Sequence, residues 1–221
     1  MAEARATEVE IKLRVEDLPA MRRRLNRAGA RQMTPRRHEA NTLYDTPQGG
    51  LARHGQMLRI RTESPAGKMK AAKSRPRVPG KSADAPQAIL TFKGPATLGQ
   101  EQTAALGRRY KIREESEVTI GDPIALGAIF EALGLRPYFR YEKLRTAYAL
   151  PGLPSLKVVL DETPIGAFLE LEGSPANIDR GAARLGFSPS DYITQTYAGL
   201  YLAHCRRQGL PPADMLFQKG K

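Results

Sequence analysis

The chain has 221 residues, 41% of them hydrophobic, which is enough for a core, and no apolar run nears the ~20 residues that cross a bilayer. One cysteine, Cys205, excludes an internal disulfide and a cysteine-based metal site, and His38, His54 and His204 lack ligand-like spacing, so zinc is not expected. A formal net charge of +12, from 35 Lys and Arg against 23 Asp and Glu, calls for an anionic partner.

The N-terminus carries no apolar segment of the signal-peptide kind, so a cytoplasmic location and no membrane association are expected. From Thr7 to Val15 the chain reads as a strand with Glu8, Glu10, Lys12 and Arg14 on one face and Val9, Ile11, Leu13 and Val15 on the other. Two carboxylates followed by a lysine suit a metal ion beside an anion. A solvent-facing strand with charges paired across its neighbours carries the same pattern. Asp17 caps a helix through Leu18, Met21, Leu25 and Ala28, which Gly29 stops. Its arginines form a solvated face. A strand over Asn41–Thr46, ended by Pro47 and Gly49-Gly50, precedes another over Met57–Thr62 with Arg59 and Arg61 on one parity.

Between Ser64 and Ala88 lie four prolines and six basic residues against Asp84 alone, a composition that reads as a mobile basic loop. Ala88–Lys93 resumes the sheet, placing Thr91 with Lys93, and Tyr110–Val118 places Lys111, Arg113, Glu115 and Glu117 together. Asp122-Pro123 opens a helix that runs to Gly134. Strands over Tyr141–Tyr148, Leu156–Asp161 and Ala167–Gly173 then put Lys143 and Arg145, Asp161, and Glu170 and Glu172 on the charged parity. Two helices follow, one through Ile178, Ala182 and Leu185 and one from Tyr192 and Ile193 through Tyr197, Leu200 and Tyr201. The expected organisation is one domain over residues 1–207 with a loop at 64–88, then a frayed tail at 208–221.

Eight candidate strands carry charge on one face and aliphatics on the other. Amphipathic helices must cover the aliphatic face, so the charged face encloses something. The expected fold is α+β, an eight-stranded antiparallel closed β-barrel with helices packed on the outside. Its lumen would hold Lys12, Arg59, Arg61, Lys93, Lys111, Arg113, Lys143 and Arg145 with Glu8, Glu10, Glu115, Glu117, Asp161, Glu170 and Glu172. Enclosed charges at this density are costly unless a ligand completes the balance. Phosphate chains need several cationic donors, and a hard divalent ion needs carboxylate oxygens.

Glu8-x-Glu10-x-Lys12, Tyr44-Asp45-Thr46, Leu58-Arg59-Ile60-Arg61, Thr91-Phe92-Lys93-Gly94, Arg113-Glu114-Glu115-x-Glu117, Lys143-x-Arg145, Leu160-Asp161 and Gly166-x-Phe168-x-Glu170-x-Glu172 together resemble the CYTH domain, or triphosphate tunnel metalloenzyme, superfamily. The resemblance spans Thr7 to Tyr201. It implies a tunnel that binds a small-molecule triphosphate with Mg²⁺ or Mn²⁺. The bases named above would then hold the triphosphate and the seven carboxylates would face metal, with Lys12, Glu10 and Glu172 as the catalytic set. Members include class IV adenylyl cyclases, thiamine triphosphatases and tripolyphosphatases. Leu43 stands where thiamine-triphosphatase-like members carry a tyrosine, which weakens the thiamine-specific reading.

Three functions fit: hydrolysis of a triphosphate, class IV adenylyl cyclase chemistry, and a non-catalytic polyanion-binding module. Seven acids in phase with the bases, and the absence of Trp, argue against nucleic acid as the partner. A monomer or homodimer is expected.

Overall fold

The computed structural model describes residues 6–66, 87–96 and 109–218. Most of the basic stretch read at 64–88 lies outside the described residues. The strands are β1 (Ala6–Val15), β2 (Arg31–Gln32), β3 (Arg37–Asp45), β4 (Met57–Pro65), β5 (Gln87–Lys93), β6 (Lys111–Ile120), β7 (Arg136–Ala149), β8 (Lys157–Thr163) and β9 (Gly166–Glu172). All pairings are antiparallel, in the order β7-β3-β4-β5-β6-β1-β9-β8, and β8 pairs back to β7, so eight strands close a barrel. The two-residue β2, not foreseen in the sequence, extends the edge of β7.

Five described helices stand outside the barrel wall: α1 (Leu18–Arg27), α2 (Gly50–Arg53), α3 (Pro123–Ala132), α4 (Pro175–Arg184) and α5 (Tyr197–Gln208). Asp17 caps α1 by accepting from the Ala20 N–H, Asp122 caps α3, and each has proline in the first turn. Helices α1 and α4 bury Met21, Leu25, Ile178, Ala182 and Leu185 on the outward residues Ile11, Leu13, Val158, Leu160, Leu169 and Leu171. Each such aliphatic side chain contributes roughly 1.5–3 kcal/mol by leaving water. Gly181 lets α4 approach, since a Cβ there would sit 2.3 Å from Leu156 Cδ2. Phe130 of α3 covers Tyr44 and Ile60 on the opposite side.

Helix α5 is placed differently. Tyr197 and Leu200 join Leu43, Phe139, Tyr141 and Phe168, on strands β3, β7 and β9, in an apolar cluster that closes one end of the barrel. Tyr192 and Ile193, expected in this helix, precede it. Ile193 instead bridges β1 through two backbone hydrogen bonds to Lys12, both 2.9 Å, and Thr196 caps the helix by accepting from Gly199 N.

The chain beyond Gly209, expected to fray, is docked as far as Phe217. Strand β8 pairs with β7 only from Leu144 onward, which leaves the β7 edge open at Arg140 and Glu142. Met215 fills that edge: its N–H donates to Arg140 O (2.9 Å), its carbonyl accepts from Glu142 N (3.0 Å), and its side chain is buried in the end cluster. Met215→Ala should therefore cost about 2–5 kcal/mol of stability in urea unfolding. An unchanged midpoint would show that the tail is dispensable.

Candidate active site

Inward parity places basic residues from seven of the eight barrel strands around one cavity of about 250 Å³. Ten basic and eight acidic side chains line it, so the lumen is nearly balanced in charge. The register explains the mixture. Glu10 lies opposite Lys111 on β6 and Glu172 on β9, Lys12 opposite Glu170, and Lys93 opposite Glu115.

Three groups of ion pairs fill the wall. In the first, Glu10 Oε1 accepts from Lys12 Nζ (3.2 Å) and Lys111 Nζ (2.6 Å), while Lys93 pairs with Glu8 and with Glu115 (3.2 Å). In the second, Asp161 accepts from Lys143 (3.0 Å), from Arg145 Nε (2.7 Å) and Nη2 (2.6 Å), and from the Tyr197 hydroxyl (2.7 Å). Glu39 lies 3.3 Å from Lys143 and 3.5 Å from Arg145, and Glu170 pairs with Arg145 and Lys12. In the third, Arg59 donates to Tyr141 (3.2 Å), Thr91 (3.0 Å) and Glu117 (3.4 Å), and Arg61 pairs with Glu63 (3.0 Å) and Glu117 (3.7 Å). The Arg113 guanidinium reaches the Gly55 carbonyl. The Nε atoms of Arg59 and Arg113 are buried without a hydrogen-bond partner.

The site residues expected from sequence are thus brought together, with Asp161 set apart. It is fully buried beneath the cavity floor rather than lining it, and its oxygens are taken up by Lys143, Arg145 and Tyr197. Arg14, on the same face of β1, does not line the cavity and stacks on Phe168 (4.9 Å). Lys157, an exposed residue, sits at the cavity rim and pairs with Glu172 (2.8 Å). Several lining residues escaped the sequence reading: Arg37 and Glu39, Glu63, Tyr141 and Tyr197. Arg37 and Glu39 share the parity of Asn41, and Glu63 that of Arg61, so longer strands would have included them. Tyr197 carries no such signal, because a helix brings it.

Electrostatics follow from crowding. Burial pushes the Glu10 carboxyl up, but Lys12 and Lys111 together hold it well below the usual range. Burial also raises Glu39, yet Arg145 and Lys143 bring it down to about 2. Lys111 runs opposite to Lys12 and Lys93, which are raised: burial, then the neighbouring Lys12 ammonium, push it down to about 8 despite its contact with Glu10. Its folded value lies below the unfolded value, 10.5, so between about pH 8 and 10.5 the unfolded chain binds more protons there. That difference adds stability as pH rises through the window. In metal-free buffer, the gain in stability between pH 8 and 9.5 should shrink in Lys111→Met relative to the wild type. Parallel pH profiles for the two proteins would contradict it.

For a divalent cation the donor chemistry fits: hard carboxylate oxygens stand on adjacent strands at Glu8, Glu10 and Glu172. As arranged, no three carboxylates among the described residues converge on one point, because Lys93, Lys111 and Lys157 hold these three.

Facing bases and acids thus line the interior of a closed antiparallel barrel. The chain belongs to the CYTH domain family, whose family model matches residues 6–197. Among solved structures it is similar to the PH1819 protein from Pyrococcus horikoshii OT3, with TM-score 0.66 and 20% identity over 89% of this chain and 99% of that one. It is also similar to a proposed adenylate cyclase from Vibrio parahaemolyticus, with TM-score 0.64 and 19% identity over 86% and 94% of the two chains. A third is HpAC1 from Hippeastrum, a proposed adenylyl cyclase with a dominant triphosphatase activity, at TM-score 0.56 and 18% identity over 93% and 97%. Likeness at this level of identity bears on the fold alone. No curated protein matches the chain by sequence.

Proposed function

We propose that the protein is a divalent-metal-dependent enzyme that binds a triphosphate inside its barrel and hydrolyses it. The observation that carries this reading is the ring of bases from seven strands around one cavity inside the barrel, an arrangement suited to a short chain of phosphates. In this reading Arg59, Arg61, Lys93, Lys111, Lys143 and Arg145 exchange their carboxylate partners for phosphate oxygens, and Arg113 exchanges the Gly55 carbonyl for one. Their largely buried, fixed positions make each contact stronger than it would be in solution. Lys12, held at the closed side of the cavity between Glu10 and Glu170, donates to an oxygen that gains charge during transfer.

Glu10 and Glu172, directly opposite on β1 and β9, with Glu8, Glu115, Glu117 and Glu170 also lining the cavity, are the residues that would hold Mg²⁺ or Mn²⁺. Bound there, the ion would neutralise phosphate oxygens and activate water. The swap is reciprocal: carboxylates given up by the lysines become ligands, and lysines given up by the carboxylates become phosphate donors.

The test is product analysis of the purified protein with tripolyphosphate, thiamine triphosphate and ATP, each with Mg²⁺ and with Mn²⁺. Metal-dependent release of orthophosphate supports hydrolysis, and cyclic AMP with pyrophosphate would replace it with cyclase chemistry. Binding without turnover would reduce the protein to a polyanion-binding module.

A further inference from the structure

Tyr197 comes to the cavity from outside the barrel, on the first turn of α5, and meets groups from four strands. Lys12 Nζ of β1 lies 5.3 Å from its ring centroid and Lys143 Nζ of β7 lies 5.1 Å from it. Its hydroxyl donates to Asp161 of β8 (2.7 Å). Phe168 (5.6 Å, edge-on) and Tyr141 (6.1 Å) pack against the same ring. The two backbone bonds between Lys12 and Ile193 pin the approach to α5 onto the strand that carries Lys12.

We propose that Tyr197 is a positioning residue that holds the Lys12 and Lys143 ammonium groups at the cavity floor, ready for the terminal phosphate of an incoming triphosphate. The inference rests on the function proposed above. Lys12 and Lys143 carry like charges around one ring and are nearly fully buried, so something must offset their repulsion. Carboxylates do so in the resting state: Glu10 and Glu170 at Lys12, Glu39 and Asp161 at Lys143. A carboxylate, however, competes with phosphate for the same ammonium and repels the phosphate itself. The face of an aromatic ring attracts both cations without presenting a net charge to the ligand. Burial, then Asp161 and Glu170, hold the phenol well above its ordinary pKa, so it stays neutral. Tyr197 can therefore keep its hold on both lysines after their carboxylate partners have been displaced.

The experiment uses the full chain with Mg²⁺ and tripolyphosphate, read by calorimetry and by steady-state kinetics. Tyr197→Phe keeps the ring and should bind within ~3-fold of the wild type. Tyr197→Leu and Tyr197→Met lose the ring, and whichever folds should bind at least ~10-fold more weakly, chiefly through KM. Leu200→Ala, one turn along α5 in the same apolar cluster, controls for packing: it should lower the melting temperature and leave affinity within ~3-fold. Wild-type affinity in a folded ring-less variant overturns the inference alone. So does weakened binding in Leu200→Ala equal to that of the ring-less variants. A wild-type protein that binds no tripolyphosphate overturns the functional reading, and this inference with it.

Discussion

Glu10→Gln should lower the rate of metal-dependent triphosphate turnover by at least ~10²-fold, the size of effect that follows loss of one preorganised electrostatic partner. Glutamine preserves the shape of the side chain and removes its charge. That charge is shared by Lys12 at 3.2 Å and Lys111 at 2.6 Å, and in the proposed mechanism it passes to the metal. The same substitution at Glu172, opposite Glu10 and partly exposed at the rim, should give a rate loss of the same order with little cost in stability. Rates measured at limiting Mg²⁺ or Mn²⁺ decide the matter. Near-normal rates in both variants would remove these glutamates from the catalytic set.

Asp161→Asn should have the largest effect on stability, about 3–5 kcal/mol, because it takes the charge from a fully buried carboxylate that serves buried Lys143 and partly buried Arg145. Lys143 would keep Glu39 at 3.3 Å, and Arg145 would keep Glu39 and Glu170, but both lose their shortest shared acceptor. The loss should be present in metal-free buffer, read as a lowered urea midpoint. A variant as stable as the wild type without metal, and deficient only in its response to metal, would make Asp161 a ligand rather than an anchor.

The barrel was legible because strand parity is local. Glu8-x-Glu10-x-Lys12 already separates wall from lumen, and its repetition from Arg59-x-Arg61 to Glu170-x-Glu172 requires a closed charged interior. Strand ends were less legible. Strand β3 starts at Arg37 rather than Asn41, so Glu39, the partner of Lys143 and Arg145, was passed over. Contacts made across the fold left no trace in any one segment. Nothing local to Tyr197 says that α5 closes the barrel, or that its ring meets lysines from β1 and β7. Nor does composition reveal that Met215 completes the β7 edge, since a Pro-rich tail is docked there by two backbone hydrogen bonds.

Parity also shows which charges share a face without showing which ones touch. The sequence suggests an enclosed lumen of bases and acids that needs a ligand to complete its charge balance. In the structure Lys12, Lys93, Lys111, Lys143 and Arg145 each have a carboxylate partner, so the resting cavity is already nearly balanced and ligand binding becomes an exchange of partners.

The central claim, that the barrel interior is the triphosphate site, is tested most directly by thermal unfolding with and without Mg²⁺ and tripolyphosphate. A ligand bound only by the folded state stabilises it by RT ln(1 + [L]/Kd), about 2.7 kcal/mol at a hundredfold excess over Kd. Wild type should therefore melt markedly higher with tripolyphosphate and far less so with monophosphate. Alanine at Arg59, Arg61, Lys93, Lys143 or Arg145 should shrink the shift, and alanine at Arg23, exposed on α1, should leave it intact. Equal shifts in the interior and Arg23 variants would mean diffuse attraction to a basic surface, and would contradict the account.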